Sequence, residues 1–269
     1  MPVTRFDRGS VSLAVHAVGD GRPFLFQHGL CGDAAQTADV LPKGIGWRGL
    51  TLESRGHGRS DAGPLDALSL ATFADDLAAF LDQEVGGPVV LGGISMGAAL
   101  ALRLAVTRPD RVAGLVLARP AWLWDAAPSN LAPYALVGDL LARHEPGQAR
   151  AAFEATDTAR TLAQAAPDNL ASLLGFFDRQ PVPVTAALLS RIAADGPGLA
   201  RDDIAAIRVP TLVIAHGRDL AHPLSHALTL ARLIPGSHLS EITPKADDRD
   251  RYRRDFAAAL STFLQELPA

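Results

Sequence analysis

The stretch Val89-Val90-Leu91-Gly92-Gly93-Ile94-Ser95-Met96-Gly97-Ala98-Ala99-Leu100-Ala101-Leu102 constrains this chain more than any other. It reads as a buried apolar strand, a sharp turn and an Ala/Leu-rich helix, in that order. The turn spells G-x-S-x-G from Gly93 to Gly97. So tight a passage from strand to helix crowds the backbone, and both positions flanking the serine must be nearly free of side chain. The hydroxyl then stands proud of the sheet, above the free N–H groups of the helix N-terminus. The bland alternative is a chance match in a chain with 24 glycines, and the strand–turn–helix order argues against it. Ser95 is therefore the candidate nucleophile.

What surrounds this turn has the same alternating character. Phe6 to Val18 alternates as a hairpin, with Val11, Leu13 and Val15 on one face, and Gly19-Asp20-Gly21 turns the chain. Phe24-Leu25-Phe26 and Leu50-Thr51-Leu52 read as short buried strands. Leu70 to Val85 carries Phe73, Leu77, Phe80 and Leu81 at helical spacing. Val112 to Leu117 is a strand. From Pro120 to about Pro197 the β-branched runs stop, and short Ala/Leu-rich helical stretches are cut by prolines; residues 120–196 read as a helical lid inserted into a core of 1–119 and 197–269. Strand character resumes over Val209–Ala215, followed by a helix from Pro223 to Leu233, a strand over Leu239–Ile242 and a closing helix from Arg251 to Leu264. This alternation predicts an α/β fold, a mostly parallel sheet with helices on both faces.

Totals narrow the function class. At 269 residues and 48% hydrophobic content the chain builds one sizeable core, or one core with an inserted lid. A net charge of -4 gives no electrostatic case for nucleic acid or an anionic membrane. No signal-like h-region and no bilayer-length apolar run occur, so a cytoplasmic protein is expected. The single cysteine, Cys31, leaves no intramolecular disulfide and no multi-cysteine zinc site. No phosphate-binding loop follows Gly92-Gly93, and His222 with His226 is too thin for zinc, so no cofactor and no metal are expected.

In its motifs the chain resembles the α/β-hydrolase-fold family over nearly its whole length. The matching pieces are the His28-Gly29 loop, Arg55-Gly56-His57-Gly58-Arg59-Ser60, the Gly93–Gly97 turn, Ala206-Ile207-Arg208-Val209-Pro210-Thr211-Leu212, Gly217-Arg218-Asp219 and Leu233-Ile234-Pro235-Gly236. The resemblance implies a Ser…Asp…His triad in that order, with an oxyanion hole of backbone N–H groups. Ser95 matches the nucleophile, the N–H groups of Leu30 and Met96 match the oxyanion donors, and Asp219 matches the acid. The alternative for Asp219 is a cap on the helix that starts at Pro223.

The histidine departs from the pattern. The resemblance places it on the loop after the last strand, where this chain reads Thr243-Pro244-Lys245-Ala246-Asp247-Asp248, and no histidine follows His238. His238 precedes its strand and so lies ~13 Å from the carboxyl rim, too far for proton transfer. His28 and His57 match loop-holding positions, His216 continues a buried strand, and His226 points to the periphery. His16 and His144 have no positional case. His222 remains, three residues after Asp219 on the same loop, as the substitute base. Lys245 is next, weakened as a base by Asp247 and Asp248.

Two function classes stay open. The first is a serine hydrolase of a small ester, lactone or related acyl compound with a non-standard base. The second is a non-hydrolytic member of the fold, a ligand-binding protein or a lyase-type enzyme. Trp122, Trp124, Phe153, Phe176 and Phe177 in the lid predict a mainly apolar pocket and a largely apolar small-molecule substrate.

Overall fold

A computed structural model describes residues 3–268. In chain order its elements are β1 (Val3–Arg8), β2 (Val11–Val18), β3 (Arg22–Gln27), α1 (Ala34–Ala38), β4 (Trp47–Leu52), α2 (Leu70–Glu84), β5 (Val89–Ile94), α3 (Met96–Thr107) and β6 (Val112–Ala118). Six helices follow: α4 (Ala132–Arg143), α5 (Pro146–Glu154), α6 (Asp157–Ala165), α7 (Pro167–Gly175), α8 (Val182–Ala194) and α9 (Arg201–Ala205). The chain then returns as β7 (Thr211–Ala215), α10 (Leu224–Leu233), β8 (Ser237–Glu241) and α11 (Arg249–Glu266).

The strands form one eight-stranded sheet in the order β1-β2-β4-β3-β5-β6-β7-β8. β2 runs antiparallel to its neighbours β1 and β4, and every later pairing is parallel. Period-two alternation sorts the strand side chains into two cores. Leu25, Leu91, Leu115 and Leu117 point to the face covered by α2 and α3. Phe24, Phe26, Val90 and Val116 point to the face closed by Tyr252, Phe256, Leu260 and Phe263 of α11.

Some boundaries differ from the sequence expectation, each for a local reason. β7 begins at Thr211 rather than Val209, since Pro210 has no N–H to donate and serves the sheet through its carbonyl, which accepts from Leu115 N–H at 2.9 Å. β8 begins at Ser237, so His238 lies inside the strand, opposite Leu212, rather than before it. The edge sequence Ser237-His238-Leu239-Ser240-Glu241 alternates weakly because much of it faces solvent. α11 starts at Arg249, two residues early, because the Asp248 side chain accepts from Arg251 N–H and caps it.

The helical stretch between β6 and β7 is tied to the sheet domain by directed bonds as well as by apolar packing. Trp122 Nε1 donates to Asp195 O at 2.9 Å, and the Asp195 carboxylate accepts from Leu70 N–H at 2.7 Å. Arg179 donates to Gly56 O, and Arg191 to Leu68 O. Among the described residues no helix is long and apolar enough to cross a membrane.

Candidate active site

Ser95 sits at the carboxyl end of β5 with φ 58° and ψ -109°, a conformation a non-glycine residue holds only when its surroundings enforce it. They do so here through contact. A Cβ on Gly93 would lie 2.5 Å from the Gly97 backbone, and one on Gly97 would lie 2.4 Å from Gln27 O. Both neighbours are main chain, of α3 and of β3, and neither can move without disrupting its element, so both flanking positions require glycine. Met96 is the first residue of α3, and its N–H has no earlier helical carbonyl to bond. Leu30 stands on the loop after β3, whose form is held by Gly29 N–H donating to Gln36 Oε1 at 2.6 Å.

His28 and His57 stabilise this loop and its neighbour. His28 Nδ1 lies 2.9 Å from Gly29 O, and its Nε2 accepts from Ser54 N–H at 3.1 Å. His57 Nδ1 lies 2.9 Å from Arg55 O, and its Nε2 accepts from Cys31 N–H at 3.0 Å. Burial lowers the pKa of both rings, in keeping with neutral groups whose two nitrogens are committed to the backbone. Burial also pushes the Cys31 thiol up to about 12, so it is no thiolate nucleophile.

Asp219 and His222 occupy the loop after β7. The Asp219 carboxylate accepts from His222 N–H at 3.1 Å, and His222 Nδ1 lies 2.9 Å from each carboxylate oxygen. A carboxylate only accepts, so the ring proton belongs on Nδ1 and Nε2 carries the free lone pair. Nε2 is buried and has no hydrogen-bond partner among the described residues. Ser95 and His222 line one cavity of about 210 Å³, together with Leu30, Arg119, Asn169 and Lys245. A direct Ser95–His222 hydrogen bond is not formed. A larger cavity of about 660 Å³ between β8 and α11 contains none of these groups.

Sequence reading overlooked three residues that complete the arrangement. Arg119, immediately after β6, directs Nε and Nη2 to one Asp219 oxygen, each at 2.7 Å, and its Nη2 comes within 3.3 Å of His222 Nδ1. Asn169 of α7 accepts from Leu220 N–H at 2.8 Å and Ala221 N–H at 3.0 Å. Asn130 donates to Ala121 O and Ala221 O. The helical stretch thus holds the acid–imidazole loop from above. One signal was available for Arg119: a charged residue abutting an apolar strand at the carboxyl rim of a parallel sheet, where such sheets place their ligands.

Charge within the site follows from this packing. Burial alone would raise the Asp219 pKa, but the Arg119 guanidinium, and then His222, hold it well below the usual carboxylate range. Burial lowers the His222 pKa, Asp219 opposes this and Arg119 reinforces it, with a net lowering. His216, behind Asp219 and edge-on to Tyr252, is lowered to about 4 by burial and then by Arg119.

Two expectations about the surroundings are corrected. The partner of Lys245 is Asp168 of α7, at 3.1 Å, and not the acids of its own loop. Asp247 instead pairs with Arg218, and Asp248 caps α11. Of the five lid aromatics expected to line the pocket, only Phe176 does. Trp122, Phe153 and Phe177 are buried within the helical packing, because large rings between short helices fill the gaps that short apolar side chains leave.

Comparison with known proteins agrees with this architecture. The sn-1-specific diacylglycerol lipase ABHD11 of Danio rerio is 36% identical over 102 residues, a match covering 37% of this chain and 32% of the lipase, about a third of that relative's length. The AB hydrolase superfamily protein YisY of Bacillus subtilis is 28% identical over 261 residues, covering 88% of each. The enol-lactonase structure from Burkholderia xenovorans superposes with a TM-score of 0.72 at 22% identity, over 98% of this chain and 100% of that one. Lipases, esterases and lactonases thus stand among its relatives and structural neighbours. The family model described as alpha/beta hydrolase fold matches residues 22–248, and the chain belongs to that family.

Proposed function

We propose that the protein is a serine hydrolase of small esters, lactones or related acyl compounds, in which the base has moved from the loop after β8 to the loop after β7. The single observation that carries this reading is His222: Nδ1 is anchored on Asp219, and Nε2 is left unpartnered beside the cavity that Ser95 lines. In this scheme Ser95 Oγ attacks the substrate carbonyl and its proton passes to His222 Nε2, directly or through one water. The N–H groups of Leu30 and Met96 receive the developing oxyanion. His222 then returns the proton to the leaving group, and water cleaves the acyl-enzyme by the same relay in reverse. The helical segment 120–196 serves as the lid over this site.

The second reading, a non-hydrolytic binding protein or lyase-type enzyme, draws on the missing direct Ser95–His222 bond. Such bonds are often long before substrate binds, which leaves the hydrolase reading ahead. Labelling with a fluorophosphonate, read by peptide mass, separates the two. The hydrolase reading expects modification at Ser95 in the wild type and its loss or strong slowing in His222→Ala. An unlabelled Ser95, with no turnover across a panel of aryl esters and lactones, favours the second reading.

A further inference from the structure

We propose that Arg119 is a positioning residue of the acid–base pair, sharing the Asp219 carboxylate with His222 so that an Asp–Arg pair, and not a lone carboxylate, orients the base. The inference rests on the serine-hydrolase reading for its catalytic consequence and on geometry for its existence. Arg119 is 7% exposed and adopts φ 47°, left-handed backbone that costs an arginine energy. Its main chain is fixed there by Arg119 N–H donating to Ile214 O at 2.6 Å, which links it to β7, the strand that leads into the Asp219 loop. Its guanidinium stands 6.0 Å from the Tyr252 ring, with Nη1 3.5 Å from the Tyr252 hydroxyl. A buried cation held this firmly, a hundred residues in sequence from its acid, is over-determined for a surface ion pair.

The arrangement has a chemical consequence. With the Nδ1 proton directed at Asp219, the 3.3 Å approach of Arg119 Nη2 to Nδ1 brings two donors together and not a donor and an acceptor. The neutral ring tolerates this contact, whereas the imidazolium is repelled by it. Arg119 also spends much of the Asp219 charge that would otherwise stabilise an imidazolium. The guanidinium therefore keeps the base free of its proton at lower pH, at the expense of some support for the charged ring during proton transfer. The other titratable groups that face the acid–imidazole pair are His216 behind Asp219, His226 on α10, Asp168 with its partner Lys245, and the hydroxyls of Tyr252 and Tyr134 on the Asp219 side. None of them bridges the carboxylate and the imidazole as Arg119 does.

The test is an NMR titration of the His222 ring in the full-length wild type, Arg119→Met and Arg119→Lys, alongside kcat/KM against pH for any ester that is turned over. Arg119→Met is expected to move the His222 titration, and the acid limb of kcat/KM, upward by about one unit. Arg119→Lys keeps the charge but cannot span the carboxylate and the ring, so an upward movement about half as large is expected, with kcat reduced more than KM is changed. Titration of His222 at the wild-type pH in either folded variant overturns the proposal, even if melting temperature and kcat both fall, since that is the signature of a merely structural arginine. Should Arg119→Met fail to fold, Arg119→Lys decides on the same readout. Should the wild type hydrolyse no ester, the proposed function falls while the ring titration still tests the Arg119–His222 coupling.

Discussion

The loops after β7 and β8 leave the same rim of the sheet one strand apart, yet they carry different chemistry. The β7 loop folds back on itself, so that Asp219 holds both the backbone and the ring of His222. The β8 loop pairs Lys245 with Asp168 on α7 and gives its acids to Arg218 and the α11 cap. One loop holds an acid and an imidazole, and the other ties down the helical segment. The difference teaches that position on the rim, and not order along the chain, decides which residues reach the cavity that Ser95 lines. Three residues of separation on a tight loop are enough to pair an acid with an imidazole.

The sharpest way to break the comparison is to remove one group from each loop. Under the proposed function, His222→Ala is expected to lower kcat/KM for a responsive ester by 100-fold or more, nearly as much as Ser95→Ala, because groups acting as a unit are not additive. Lys245→Ala is expected to stay within about threefold of wild type. A reversal of that ranking moves the base to the β8 loop. Parallel progress curves of the three variants make the comparison.

Stability probes what holds each loop. Asn169→Ala leaves the buried Ala221 N–H and the part-buried Leu220 N–H without their acceptor and is expected to cost about 1–3 kcal/mol in urea unfolding. Asp168→Asn breaks only the partly exposed pair with Lys245 and is expected to cost about 1 kcal/mol or less. Equal costs would mean that the two loops are held alike.

A smaller effect is expected from pH. His216 and His222 are folded in a neutral state, with pKa values below the ordinary value of about 6.5. Between that value and about 4 for His216, the unfolded chain takes up protons that the folded chain refuses. Their contribution is therefore complete above the unfolded value and drains away as pH falls, by about 2 kcal/mol from pH 7 to 5 for His216. Asp219 acts in the same direction, but its share is lost only in strong acid. The urea midpoint at the two pH values checks this, and a flat profile would mean that water reaches the β7 loop.

Much of the scaffold was legible because it follows from local rules. Apolar alternation located the strands, and the Gly93–Gly97 spacing located a turn that admits no Cβ at either end. Weak edge patterning blurred β8, where half-exposed positions no longer alternate. The aromatics of the helical stretch misled because composition reports that rings are present and does not report whether they face a cavity or one another. Phe153 and Phe177 meet each other at 5.9 Å and line no part of the cavity beside Ser95, whose walls mix polar side chains with Leu30, Ile94 and Phe176.

By itself the sequence determined the α/β architecture, the strained serine and the absence of any histidine beyond His238, since each depends on residues close together in the chain. The tertiary structure alone decided that Arg119 would share Asp219 with His222, that Asn169 would hold the β7 loop and that Lys245 would reach α7. These partners lie tens of residues apart and meet only where the strand order brings β6, β7 and β8 side by side under the helices. No local propensity encodes such a meeting. It is set by the burial of both faces of the sheet, which leaves the loops at one rim to pair their charges with whatever the fold has placed within reach.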